Sequence, residues 1–174
     1  MEEQKSAFGP SIVSGIYLGL ALIVFSLVTF LLDVDLESPI KYISYVILAI
    51  GLFWATISFR DKHRGGFINY GGSFSAGFYT GLFASFLLGI FTFVYVQYID
   101  TGLVQEILLN AEEQMLEQNP NMSDEQIDQA LSITEMMTSP IMMGVWGFVG
   151  NLVASTLLSL IIAIFAKREN KEIA

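Results

Sequence analysis

The chain has 174 residues, 53% of them hydrophobic and only 14% charged, with a formal net charge of −9. A soluble domain carries about 25% charged residues, so most of this chain is not composed for water. Cysteine is absent, which excludes thiolate catalysis, cysteine-based zinc sites and disulfides, and the acidic balance argues against nucleic acid as a partner.

The missing charge comes from four long, nearly uncharged runs at about residues 10–32, 40–59, 73–99 and 141–166. A helix needs about 20 apolar residues to cross roughly 30 Å of hydrocarbon, and every run meets that length. The expected fold is all-α: an integral membrane four-helix bundle, one domain over residues 1–174, with an extracytoplasmic helical hairpin at 100–140 between spans three and four. The first run is expected to remain as a span. It is too long for a signal peptide, its leader MEEQK is not basic, and no small-residue cleavage site follows.

In span one, Ser11, Gly15 and Gly19 recur at every fourth position, a GxxxG-type face. Gly9-Pro10 marks its start, where a proline costs little because its missing N–H would be unpaired anyway. The short loop Asp33–Pro39 makes spans one and two antiparallel neighbours. Span two opens on Tyr42 and Tyr45, holds Gly51 and Ala55 as its small pair, and ends at the basic segment Arg60-Asp61-Lys62-His63-Arg64. Two glycine pairs then bracket Phe67-Ile68-Asn69-Tyr70. This is expected to be a tight turn or a short interfacial segment, with Phe67, Ile68 and Tyr70 at the headgroup level.

Span three is the centre of the design. Ser73, Gly77, Gly81, Ser85 and Gly89 form a fourth-position ridge with phenylalanines on other faces. Span four repeats the device with Gly147, Asn151, Ser155, Ser159 and Ala163, and Gly144, Gly150 and Ala154 are expected to widen that surface. The two ridges are expected to pack closely on one another, with span one contributing. In lipid, close van der Waals contact and interhelical hydrogen bonds replace the hydrophobic effect as the packing force.

Between spans three and four, Val104, Ile107, Leu108, Ala111 and Met115 fall at helical spacing. Asn119-Pro120-Asn121 breaks that helix. Ser123 through Gln126 reads as a capping box opening a second helix that carries Ile127, Leu131 and Thr134. Ser139-Pro140 reads as N-cap and first residue of span four.

Charge sets the orientation. Lys5, the segment Arg60–Arg64 and the tail with Lys167, Arg168 and Lys171 hold seven of the 8 Lys and Arg residues. The other side has Lys41 alone, against twelve acids: Asp33, Asp35 and Glu37, and nine between Asp100 and Glu135. The positive-inside rule puts both termini in the cytoplasm and the acidic loop outside. Arg60, Lys62, Arg64, Lys167 and Arg168 are accordingly topology-setting residues, with anionic headgroups as a secondary contact.

Candidate chemistry is sparse. No charged residue falls inside a span, which argues against an ion-coupled pump. His63 stands in the basic loop without metal-binding companions, the acidic loop lacks a calcium-loop pattern, and the methionines read as apolar packing rather than a copper site. Asn151 is the most polar side chain within a span. It reads first as an interhelical hydrogen-bonding group and second as a ligand contact. No catalytic residue, cofactor or metal site is expected.

The sequence Gly-Gly-Phe-Ile-Asn-Tyr-Gly leading into span three, and EEQMLEQNPNMSDEQIDQAL followed by MMTSPIMM before span four, resemble a family known as domain of unknown function 4199. The resemblance spans nearly the whole chain and is most specific over Gly66–Gly77 and Met115–Pro140. It implies a small inner-membrane protein of bacteria with two-membrane envelopes, and no activity. The functional expectation is a non-enzymatic accessory, assembly or envelope-homeostasis component. Its partners would be the lipid bilayer and a membrane-protein partner or further copies of itself. The alternative is a small dimeric transporter or lipid-handling protein with a site near Asn151 and the glycine-rich faces of spans three and four.

Overall fold

The computed structural model describes residues 6–32, 34 and 38–168. Expectations resting on Lys5, Asp33, Asp35, Glu37 and Lys171 lie outside the described residues, as does the side chain of Lys41. The chain is all-α. Helices α1 (Phe8–Leu31), α2 (Ile43–His63), α3 (Tyr70–Val94), α4 (Leu103–Gln118), α5 (Asp124–Met137) and α6 (Pro140–Ala166) follow in order, and the described residues hold no strand. A short 3-10 turn, Pro39–Tyr42, leads into α2, and a π-helical turn, Tyr95–Ile99, continues α3.

Four of these elements are long and apolar enough to cross a membrane: α1, α2, α3 with its π turn, and α6. Only 22 to 28% of each apolar window is buried within the protein. Side chains such as Val13, Tyr17, Val24, Ile50, Val153 and Phe165 stand exposed along their flanks. Four helices with this much bare apolar surface would associate in water, whereas hydrocarbon accepts it, and a helix satisfies its own backbone there. The chain is a multi-pass membrane protein.

The structure divides into two compact units. The first comprises residues 1–88 and 149–174, so it holds α1, α2, most of α3 and most of α6. Leu18, Leu22, Leu48, Leu52, Ala84, Ile162 and Ala166 form its main core, and Ala7, Phe59, Ile68 and Ala76 form a second cluster at the basic end. The second unit, residues 89–148, holds the end of α3, the α4–α5 hairpin and the start of α6.

Several boundaries differ from the sequence reading. The basic segment Arg60–His63 is not loop but the last turn of α2, where cations meet the negative end of the helix dipole. Gly65 and Gly66, at φ +63° and +87°, then turn the chain sharply, a left-handed conformation that costs a residue with a Cβ about 1 kcal/mol or more. Ile68, expected at the headgroup level, does not turn its side chain outward. It is buried, and its N–H and C=O pair with Arg168 at 2.9 and 2.8 Å. Tyr70 already belongs to α3, so that helix starts three residues before the expected Ser73. Ser139 precedes α6, but its hydroxyl donates backwards to the Met136 carbonyl at 2.9 Å instead of capping.

In the second unit, Ser123 does form a capping box: its Oγ accepts from the Gln126 N–H, and Gln126 Oε1 accepts from the Ser123 N–H. The π turn ends at Asp100, whose N–H donates to the Tyr95 carbonyl at 2.8 Å and whose carboxylate accepts from the Tyr95 hydroxyl at 3.1 Å.

Candidate functional site

The chemistry-bearing side chains of the first unit lie along a seam of small residues. Ser11, Gly15 and Gly19 of α1 are buried. A Cβ added at Gly15 would stand 2.5 Å from Phe83 Cβ and 2.8 Å from the Thr80 carbonyl oxygen, so α1 touches α3 almost backbone to backbone. At Gly19 it would meet Leu87 at 3.0 Å. Ser11 Oγ ties the same pair of helices by donating to the Ala76 carbonyl at 3.2 Å. Gly51 of α2 abuts Leu18 of α1.

The α3 ridge meets α6. A Cβ at Gly77 would stand 2.7 Å from Ser159 Oγ, and one at Gly81 would collide with Ser155. One turn further on, Asn151 Nδ2 donates to Ser85 Oγ at 2.8 Å. Ser85 in turn donates to the Gly81 carbonyl at 2.7 Å. Thr56 and Thr80, both buried, donate to carbonyls four residues back at 2.8 Å. By contrast, the buried hydroxyls of Ser73, Ser155 and Ser159 meet no partner among the described residues.

In the second unit, Gly89 and Gly144 meet across the pair formed by the end of α3 and the start of α6. A Cβ at Gly89 would approach the Gly144 carbonyl oxygen to 3.0 Å, and one at Gly144 the Gly89 carbonyl oxygen to 2.9 Å. Gly147 faces Thr92 in the same way, at 2.9 Å from its Oγ1. Gly150 is different. Expected to widen the packing surface, it is instead exposed, and a Cβ there would meet nothing within 4 Å. The reason is rotational: one residue on a helix advances about 100°, so Gly150 turns away while Asn151 turns inward.

The basic end is built, not merely charged. Arg60 pairs with Asp61 at 2.7 Å and donates from Nη1 to the Ala166 carbonyl at 3.2 Å, where it satisfies an unpaired C-terminal carbonyl of α6. Arg64 lies over the Phe59 ring and Arg168 over the Phe67 ring, each 5.5 Å from the centroid. His63 stacks on Phe59 at 5.6 Å. Lys62 and Lys167 are exposed. The five cations therefore split: Arg60, Arg64 and Arg168 engage the fold, whereas Lys62 and Lys167 face outward.

The family described as Protein of unknown function (DUF4199) matches residues 14–168. The chain belongs to the DUF4199 family. No curated protein and no solved structure matches it significantly. In this DUF4199 chain the seam supplies hydroxyls and one amide but no ionisable group at depth. Such a surface can hold helices together or solvate a weakly polar guest, and it offers no acid, base or nucleophile pair. Sequence reasoning did not separate the partnered serines from the unpartnered ones. Both kinds share the fourth-position spacing, and the difference lies in side-chain rotamer and in what stands opposite.

Proposed function

We propose that this protein is a non-enzymatic accessory component of a bacterial inner membrane, with both termini cytoplasmic and its α4–α5 hairpin in the periplasm, where the hairpin docks a cationic partner protein. The observation that carries this reading is the hairpin's surface. Nine acids and no Lys, Arg or His lie between Asp100 and Glu135. Leu109 and Leu116, two turns apart on α4, stand exposed among Glu112, Glu113 and Glu117. A shallow groove between α4 and α5 adds Asp128 and Glu135 around Leu108 and Leu131. Apolar contacts rimmed by one sign of charge suit a basic amphipathic segment, because charge steers the approach and the leucines supply the affinity. The segregation of the basic residues supports the orientation.

The transporter alternative asks for a polar opening around Asn151. The Asn151–Ser85 hydrogen bond and the close approach of Gly81 to Ser155 favour packing there instead.

The test places a photo-crosslinking amino acid at Leu109 and, as a control, at the exposed Leu157 of α6. The expected result is a discrete adduct from Leu109 in intact cells. It disappears when Glu112, Glu113 and Glu117 are changed together to Gln, while the protein still inserts. Adducts of equal yield and identity from both positions, or an adduct indifferent to those three carboxylates, would refute the docking role.

A further inference from the structure

A cavity of roughly 360 Å³ opens at the basic end of the first unit, lined chiefly by polar groups that include Ser6, Arg64, Asn69, Gly71 and Ser75. The N-terminal ends of two helices meet at it. Ser6 and Ala7 immediately precede α1, Asn69 immediately precedes α3, and Gly71 and Gly72 belong to its first turn. Each contributes the positive end of a helix dipole and amides that have no carbonyl within their own helix. At α3, Asn69 Oδ1 takes the Gly72 N–H at 2.8 Å and the Asn69 carbonyl takes the Ser73 N–H. No acceptor among the described residues takes the N–H groups of Tyr70 and Gly71.

Arg64 makes this more than a helix terminus. Its guanidinium has no carboxylate partner among the described residues. Its Nε is buried and meets no acceptor among the described residues, an arrangement costly for a charged donor. Phe59 holds one face of the group by a cation–π contact, which fixes its position without neutralising it. Among the described residues no acidic side chain lines the cavity. Gly71 leaves open space beside it, since a Cβ there would meet nothing within 4 Å. Close to these residues in the chain, Phe8 and Tyr70, the first residues of α1 and α3, and Phe67 in the turn before α3 are exposed, and a tyrosine at the end of an apolar helix suits headgroup depth.

We infer that this cavity binds a phosphate group, carried by an anionic membrane lipid, with Arg64 and the free amides at the start of α3 as its donors. A phosphodiester offers oxygens to the guanidinium fork and to backbone N–H groups together, and its acyl chains would run along the exposed apolar flanks. Inorganic phosphate presents the same chemistry, so the test separates the two sources. The inference is independent of what the hairpin docks.

The full-length protein in detergent micelles is offered phosphatidylglycerol or phosphatidylcholine, and retained lipid is counted by native mass spectrometry. The wild type is expected to retain phosphatidylglycerol preferentially. Arg64→Gln should lower that retention about tenfold, the loss of one strong charged hydrogen bond. Gly71→Leu, which leaves Arg64 in place and fills the open space, should lower it similarly. Lys62→Gln removes the same charge from an exposed position and should change retention less than about twofold. Size-exclusion profiles and melting temperatures check that each variant folds, and Gly71→Leu carries the test if Arg64→Gln does not. If the wild type shows no lipid preference, yet inorganic phosphate shields Arg64 from an arginine-modifying reagent, the phosphate site stands and its source is soluble. Equal losses in Lys62→Gln and Arg64→Gln, undiminished retention in Gly71→Leu, or neither lipid preference nor phosphate protection would overturn it.

Discussion

The side-chain amide of Asn151 donates to the hydroxyl of Ser85 at 2.8 Å, and that hydroxyl in turn donates a hydrogen bond to the Gly81 carbonyl. This two-step chain joins α6 to α3 within their uncharged stretches. The bond is buried on the α3 side, where Ser85 is fully inaccessible. Gly81 gives the serine its acceptor and, by lacking a side chain, also lets Ser155 approach.

Replacing Asn151 with Ala should destabilise the protein modestly, by about 0.6 kcal/mol and no more than about 1.7 kcal/mol, the range found for interhelical hydrogen bonds in membranes. A double-mutant cycle with Ser85→Ala, read by unfolding in mixed micelles, should return a coupling of that order. Additive effects would mean the bond contributes nothing.

Gly81→Leu should be far more damaging than Leu82→Ala, although only the second removes apolar volume. A Cβ at position 81 collides with Ser155, whereas Leu82 is only partly buried. Overpacking a tight contact forces backbone shifts, typically costing about 1–3 kcal/mol. Protease resistance in membranes measures the difference, and equal resistance would contradict the close contact.

Gly15→Ala and Gly150→Ala should have opposite signs. At Gly15 the added methyl meets Phe83 and the Thr80 backbone, which cannot yield cheaply. At Gly150 it meets open space and gains the helix propensity of Ala over Gly, about 1 kcal/mol in a water-soluble helix. Thermal melts in detergent should fall for the first variant and hold or rise for the second.

Ser123→Ala should loosen the start of α5 by about 1 kcal/mol, because it removes the acceptor for the Gln126 N–H. Ser123→Asp should preserve the cap. Hydrogen exchange at Gln126 and Ile127 reports both outcomes, and the span helices should be unaffected.

Much of the fold was written locally. The uncharged runs specified four long helices because a backbone in hydrocarbon has no other way to satisfy its polar groups. The stripe Val104, Ile107, Leu108, Ala111 and Met115 announced α4, and Ser123 with Gln126 announced the start of α5, since a cap is a contact between near neighbours. The fourth-position spacing of small residues on α3 and α6 was equally plain on the page.

What tertiary structure alone decided was facing. Gly150 and Asn151 are adjacent in sequence, yet one meets nothing and the other reaches Ser85, sixty-six positions away. Ile68 buries its side chain and pairs its backbone with Arg168, from the other end of the chain. Nor did composition reveal that Arg64 would line a cavity beside the starts of two helices, with its Nε meeting no acceptor among the described residues. Hydropathy and spacing fix what a segment becomes, because those preferences act within a few residues. How each rod is turned, and which polar groups are thereby paired or left open, depends on surfaces brought together from distant parts of the chain.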